Sequence, residues 1–261
     1  MGQRLPNPPI YYSLAQVRFA ALPKIAERMP DVQEALRTDG YPDPIEEVIS
    51  TFDIDMTSPQ PRMQQRSVRR WVSLNAKRTA GFLFDSTSLT YQTTDYVDSE
   101  SFVGAFTKGL RVFNSSANIQ LTERIGVRTL DAVFPKTGEP LSDYVDASVL
   151  GLFDKLDGHL QHSFSETVLR GPRGLITARA ITQNGGITFP PDLQNLHLAL
   201  PERITSKTGI HTMIDTDASR SERVQFNVDL VSSELSKLKK YASESFWKTV
   251  TKEARERWSQ P

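Results

Sequence analysis

The stretch Ile119-Gln-Leu-Thr-Glu-Arg-Ile-Gly-Val-Arg-Thr-Leu-Asp-Ala-Val-Phe134 alternates with period two, the signature of a strand with two different faces. Ile119, Leu121, Ile125, Val127 and Val133 share one face with Glu123, Thr129 and Asp131. Arg124, Gly126 and Arg128 fall on the other. Glycine weakens a strand interior, so Gly126 between two arginines predicts the close approach of another backbone, side chain or ligand.

Working outward toward the N-terminus, Ser99 is placed to cap a helix that turns Phe102, Val103, Phe106, Leu110 and Phe113 inward. Residues Gln65 to Thr94 read as an antiparallel meander built on Val68, Trp71 and Leu74, then Gly81 to Phe84, then Leu89 to Tyr91. Before it come a strand over Ile10–Phe19, a helix over Leu22–Arg37 interrupted by Pro30, and a strand over Ile45–Met56. Toward the C-terminus, Ser142–Leu156 reads as one weakly periodic helix. Strands are predicted over Leu160–Leu169, Leu175–Gln183, Leu196–Leu200, Thr212–Thr216 and Val224–Leu230. A helix starting at Ser232 or Ser233 then buries Leu235, Leu238, Ala242 and Phe246, and Thr249 or Thr251 caps a last helix through Trp258. Each half runs from a β meander into a capped helix. The expectation is an α+β fold of two similar halves, residues 1–140 and 141–261, each a curved antiparallel sheet with helices packed on one face, the two intimately packed as one unit.

Composition narrows the function classes. The 31 basic and 31 acidic residues cancel, so no global field draws the chain to nucleic acid or membrane. Without cysteine there are no disulfides, thiolate nucleophiles or cysteine-ligated metals, which fits a reducing, cytoplasmic setting. No apolar run is long enough to span a bilayer, and Met1-Gly-Gln-Arg-Leu-Pro6 lacks a signal-peptide core.

Four segments carry a family resemblance. Asn7-Pro-Pro-Ile10 leading to Gln16-Val-Arg-Phe19, Thr122-Glu-Arg-Ile-Gly-Val-Arg128, Met213-Ile-Asp-Thr-Asp217 and Phe246-Trp-Lys-Thr-Val-Thr251 are spread over nearly the whole chain. Together they resemble a sporadically distributed bacterial family of about 250 residues and uncharacterised function. That family usually follows its arginine strand with Tyr and Asn, where this chain has Thr129-Leu-Asp131, so a site formed there is altered here. Sporadic distribution implies an accessory or sensor component of a bacterial conflict or defence system.

Several constellations are candidates for chemistry, each with a plainer alternative. Arg124 and Arg128, about 13 Å apart along a strand, form a clamp for an anion or acidic partner with room left by Gly126; alternatively each pairs with an internal carboxylate and fixes strand register. Asp53 with Asp55, and Asp215 with Asp217, are Asp-x-Asp pairs suited to Mg²⁺ and hence to hydrolysis or phosphoryl transfer. Arg62, Arg66, Arg69, Arg70, Lys77 and Arg78 surround Trp71 with no acid among them, as a nucleic-acid-binding hairpin requires; the plainer account buries Trp71 and pairs the charges. His159 and His162 lack further zinc ligands in a recognisable pattern, and Gly171-Pro-Arg-Gly174 reads as a turn. Lys237, Lys239, Lys240 and Lys248 beside Tyr241, Phe246 and Trp247 make the C-terminal helix a partner-binding candidate. No recognised catalytic motif is present, so no catalytic residue or cofactor is assigned. The expected function is non-enzymatic binding or regulation with another protein as partner. Nucleic-acid binding and metal-dependent catalysis are the alternatives.

Overall fold

In a computed structural model, which describes residues 5–55, 62–153, 155–193 and 197–260 (within 50–55 and 62–66 the backbone alone), the arginine strand runs through the middle of a single sheet. The elements in chain order are β1 (Ile10–Phe19), α1 (Ile25–Thr38), β2 (Asp43–Asp55), β3 (Arg62–Leu74), β4 (Ala80–Phe84), β5 (Ser88–Thr93), α2 (Ser99–Ala117) and β6 (Leu121–Val133). They continue with α3 (Ala147–Leu150), β7 (His162–Gly171), β8 (Gly174–Gly185), α4 (Glu202–Thr205), β9 (Gly209–Gln225), α5 (Val228–Thr249) and α6 (Lys252–Trp258). The strand order is β2-β3-β4-β5-β1-β6-β9-β8-β7, and every neighbouring pair is antiparallel. In place of two sheets there is one nine-stranded sheet, continuous because β1 pairs with β6 from Ile10–Asp131 to Phe19–Thr122.

Local differences from the sequence reading have local causes. The strand expected over 212–216 is part of a longer one, β9, which ends at Gln225; the rest of the strand expected over 224–230 gives way to α5, capped by Asn227 accepting from the amides of Asp229 and Leu230. Asp98, one residue before the expected Ser99, caps α2 by accepting from Ser101 N. Of the strand expected over Leu196–Leu200, Leu196 lies outside the described residues and 197–200 join no ladder. His197 takes φ +58°, and Ala199 instead donates to Arg78 O and accepts from Thr94 Oγ1. Among the described residues of 142–156 the helical structure is a 3₁₀ turn (Leu141–Asp143) and the one-turn α3, ended by Gly151 at φ +74°. Helix α1 passes through Pro30 without a break.

Helices α1, α2 and α5 cover one face of the sheet. Met29 and Leu36, then Phe102, Phe106, Leu110 and Phe113, then Leu235, Leu238 and Ala242 interlock with Ala15, Val17 and Phe19 of β1 and Val127 of β6. This apolar burial, about 25 cal/mol per Å², is the main force holding helices to strands. The opposite face is crossed by the connection from β8 to β9, in which Phe189 packs on Tyr11 and Tyr12, and Leu193 and Ile204 complete a second cluster. Among the described residues no helix is long and apolar enough to cross a membrane.

Helix α2 sits close to the sheet at Gly109, where an added Cβ would lie 2.2 Å from the Phe82 ring. That ring is fully buried between Tyr41, Phe84 and Tyr91. Gly109→Ala should therefore lower stability by about 1–3 kcal/mol in urea denaturation, overriding alanine's helix propensity. Gly104→Ala on the exposed side of the same helix, with nothing within 4 Å of the new Cβ, should instead raise it by up to about 1 kcal/mol.

Candidate functional site

Period-two alternation places Arg124, Gly126 and Arg128 on the face away from the long helices, as the pattern predicts. Across the ladder the same face carries Gln16 of β1, Asp215 and Asp217 of β9, Arg179 of β8 and Glu166 of β7. The result is a polar belt over adjacent strands. Arg128 offers one edge of its guanidinium to Asp215 as a fork, Nε to Oδ1 and Nη2 to Oδ2, both at 2.7 Å. Its remaining edge is taken by Asp192, from the connection that crosses this face. Arg179 extends the belt, donating to Asp215 at 3.2 Å and to Glu166 at 2.5 Å. Arg124 reaches Asp217 at 3.5 Å and Gln16 at 3.2 Å, and Gln16 donates to Thr90.

Gly126 has a specific reason within this belt. A Cβ there would stand 2.8 Å from Arg124 Nη1, so the glycine makes room for the guanidinium that lies across it. The close approach expected from sequence is therefore by the chain's own side chain.

Burial and charge decide what the belt can do. The Arg128 and Asp215 side chains are 7% and 1% exposed, a depth at which an unpaired charge is very costly. Burial disfavours the Arg128 charge, but Asp215 and Asp192 outweigh it and hold the guanidinium more basic than usual. The bond from Arg128 keeps Asp192 below the usual carboxylate range, whereas burial pushes Asp217 up despite Arg124 and Arg128. Three guanidiniums (Arg124, Arg128, Arg179) face four carboxylates (Glu166, Asp192, Asp215, Asp217), so the formal sum is −1. Such a belt exerts no net pull on an anion, and its pairings suit the fixing of strand register.

The two Asp-x-Asp pairs do not converge. β2, bearing Asp53 and Asp55, lies six strands from β9, roughly 30 Å at the usual spacing, and the side chains of those two residues lie outside the described ones. Among the described residues no group of three or more His, Asp or Glu is arranged to hold a metal. In the basic hairpin Trp71 is buried in the main core. Arg69 pairs with Glu46, Arg70 with Glu47, and Arg78 with Asp43. Lys77 is exposed, and the side chains of Arg62 and Arg66 lie outside the described residues. His159 and His162 are both exposed, the first in a loop and the second opening β7. In the C-terminal helix, Phe246 and Trp247 pack with Trp258 in a cluster closed by α6.

A second charged constellation lies on the helix side. Asp131 of β6 and Lys239 of α5 are 5% and 6% exposed and act on one another through space, with no hydrogen bond between them. Burial pushes the Asp131 carboxyl up from 3.8 to about 7, with Lys239 and Arg203 pulling it back. Burial lowers Lys239 from 10.5 to about 8, opposed by Asp131. The Lys239 ammonium stands 4.7 Å from the centre of the Tyr96 ring. Nearby in register are Ser13, Thr129 and Thr216, and the Ser13 and Thr216 hydroxyls have no hydrogen-bond partner among the described residues.

Two outcomes test these assignments. Arg128→Ala should cost about 3–5 kcal/mol in urea denaturation by stranding Asp215, and Arg128→Met with Asp215→Leu should recover most of it. A cost below about 1 kcal/mol would remove the belt from the determinants of register. For the second pair, a carboxyl raised by folding retains a proton that the unfolded chain releases. Stability is thus lost as pH rises from 3.8 to about 7. Lys239, lowered by folding, returns stability as pH climbs from about 8 to 10.5. Lys239→Met removes the group that pulls Asp131 down, so its melting temperature relative to wild type should fall between pH 5 and pH 8. A pH-independent difference would count against the coupling.

No family model, no curated protein and no solved structure matches the chain.

Proposed function

We propose that the protein is a non-enzymatic binding or regulatory protein of the bacterial cytoplasm, an accessory or sensor component of a conflict system, that engages another protein chain, of its own kind or a different one, through the open edge of its sheet. The observation that carries this reading is β7. As the last strand it leaves one row of backbone donors and acceptors unpaired by the sheet, and it exposes Phe164, Val168 and Leu169 at 56%, 52% and 58%. Leu152 and Leu156 add exposed apolar surface in the segment leading to it. An unpaired edge with apolar side chains is the surface used in β-strand addition, where main-chain bonds supply affinity and alternate side chains supply specificity.

The internal pairing of the belt and of Arg69, Arg70 and Arg78 favours this reading over an anion site or a nucleic-acid hairpin. A metal-dependent phosphoryl-transfer site would need the Asp pairs free and near one another, and Asp215 and Asp217 are engaged by arginines.

We also read the sheet as two related halves. In each, a long central strand (β1 or β6) is rejoined by the last strand of a meander (β5 or β9), and a long capped helix follows (α2 or α5). This division falls before β6, whereas a boundary at residue 140 leaves β6 with the first half.

The test is a native pull-down of the tagged protein from its own host, with and without nuclease, beside Val168→Lys. A stoichiometric protein partner that survives nuclease and is lost in Val168→Lys is expected. Capture that depends entirely on nucleic acid would overturn the reading in favour of the basic hairpin.

A further inference from the structure

Resting on the reading of β7 as a docking edge, we infer that its occupant is a second copy of this chain, with two β7 strands pairing antiparallel about a two-fold axis at Val168. The two edges of the sheet are not equivalent. β2 carries Pro44, which cannot donate to a ladder, together with Glu46 and Glu47, both paired to β3. β7 has no proline, no lysine and no register shift against β8, so of the usual devices that keep edges apart it carries only the charges of Glu166 and Arg170.

Side-chain order along β7 selects the partner. Phe164, Glu166, Val168 and Arg170 share the belt face, opposite Ile181, Arg179, Thr177 and Leu175 of β8. Arg170 is exposed and has no ion-pair partner among the described residues. Glu166 gives Oε2 to Arg179, leaving Oε1 for a second cation. With Val168 opposite its own copy, Glu166 meets Arg170 of the second strand, twice by symmetry, and Phe164 meets the turn residue Pro172.

The neighbouring symmetric registers fail on the same face. An axis at Glu166 sets two carboxylates against each other, and an axis at Arg170 sets two guanidiniums together. Axes at Thr167 or Leu169 place the charges opposite apolar residues. Like charges directly across a ladder destabilise it, and opposite charges stabilise it. A two-fold interface requires such self-complementarity, and β7 has it in one register.

The absence of cysteine gives a clean background for the test. Sedimentation velocity over a concentration series should show a monomer–dimer equilibrium for the full chain. Arg170→Glu, which faces Glu166 with another carboxylate, should weaken the dimer about tenfold, the scale of an opposite-to-like charge change across a ladder. Val168→Cys should cross-link to itself under copper–phenanthroline oxidation. Thr167→Cys, whose two copies are offset along the strands, should not. A wild-type chain that remains monomeric to its solubility limit overturns the inference. So does a dimer indifferent to Arg170→Glu in which Val168→Cys does not cross-link. If the chain is monomeric while the pull-down retains a different protein that Val168→Lys releases, the docking edge stands and self-pairing falls. Loss of both removes the docking edge itself.

Discussion

The guanidinium of Arg128 ties together parts of the chain that are far apart in sequence. Its fork onto Asp215 joins β6 to β9, and its other edge holds Asp192 in the connection between β8 and β9. A charge at this depth is tolerable only with all its partners present, so the three residues act as one unit. A one-residue slip of β6 would turn Arg128 toward the helices and put Val127 into the carboxylates. The position of the crossing connection then follows. Once Asp192 is held, Phe189 and Leu193 lie over Tyr11 and Tyr12, and the second apolar cluster closes.

The helix side obeys a different constraint. There the core is apolar except around Asp131 and Lys239, which sit too deep to be solvated and meet without a hydrogen bond. Burial pushes the carboxyl up and the ammonium down, so each charge at this depth depends on the other. The belt and this buried pair lie on opposite faces of β6, one saturated with bonds and the other sparing of them. Most of the chain's deep charge is thereby turned upon itself.

Much of this was legible in the sequence where the pattern is local. Alternation from Arg124 to Val133 placed the arginines and Ile125, Val127 and Val133 on their proper faces, whereas a register shift between Thr122 and Arg124 breaks it at Leu121. Gly126 signalled the close approach that Arg124 makes. The inward stripe of α2 followed from its phenylalanines. What stayed hidden depends on pairing between distant segments. Arg179, Glu166 and Asp192 join Arg128 only because β7, β8 and the crossing connection lie beside β9. Leu196–Leu200 alternates like a strand, yet within its described residues 197–200 Ala199 meets a turn and a threonine side chain, and no ladder forms there. Lys239 reads as one of several surface lysines, although its spacing from Leu235, Leu238 and Ala242 puts it on the buried stripe.

The rigidity of the centre bears on the freedom of the edge. β8 is registered against β9 along its whole length and against β7 along the other side, and Arg179 ties all three strands through Asp215 and Glu166. The outer backbone row of β7 is therefore presented in a fixed extended form before any partner arrives. A preformed strand loses little conformational freedom on pairing. The same fixation sets side-chain direction, keeping Phe164, Glu166, Val168 and Arg170 on one side and Leu169 on the other. Arg179 thus passes the order of the central network outward, through Glu166, to the last strand of the sheet.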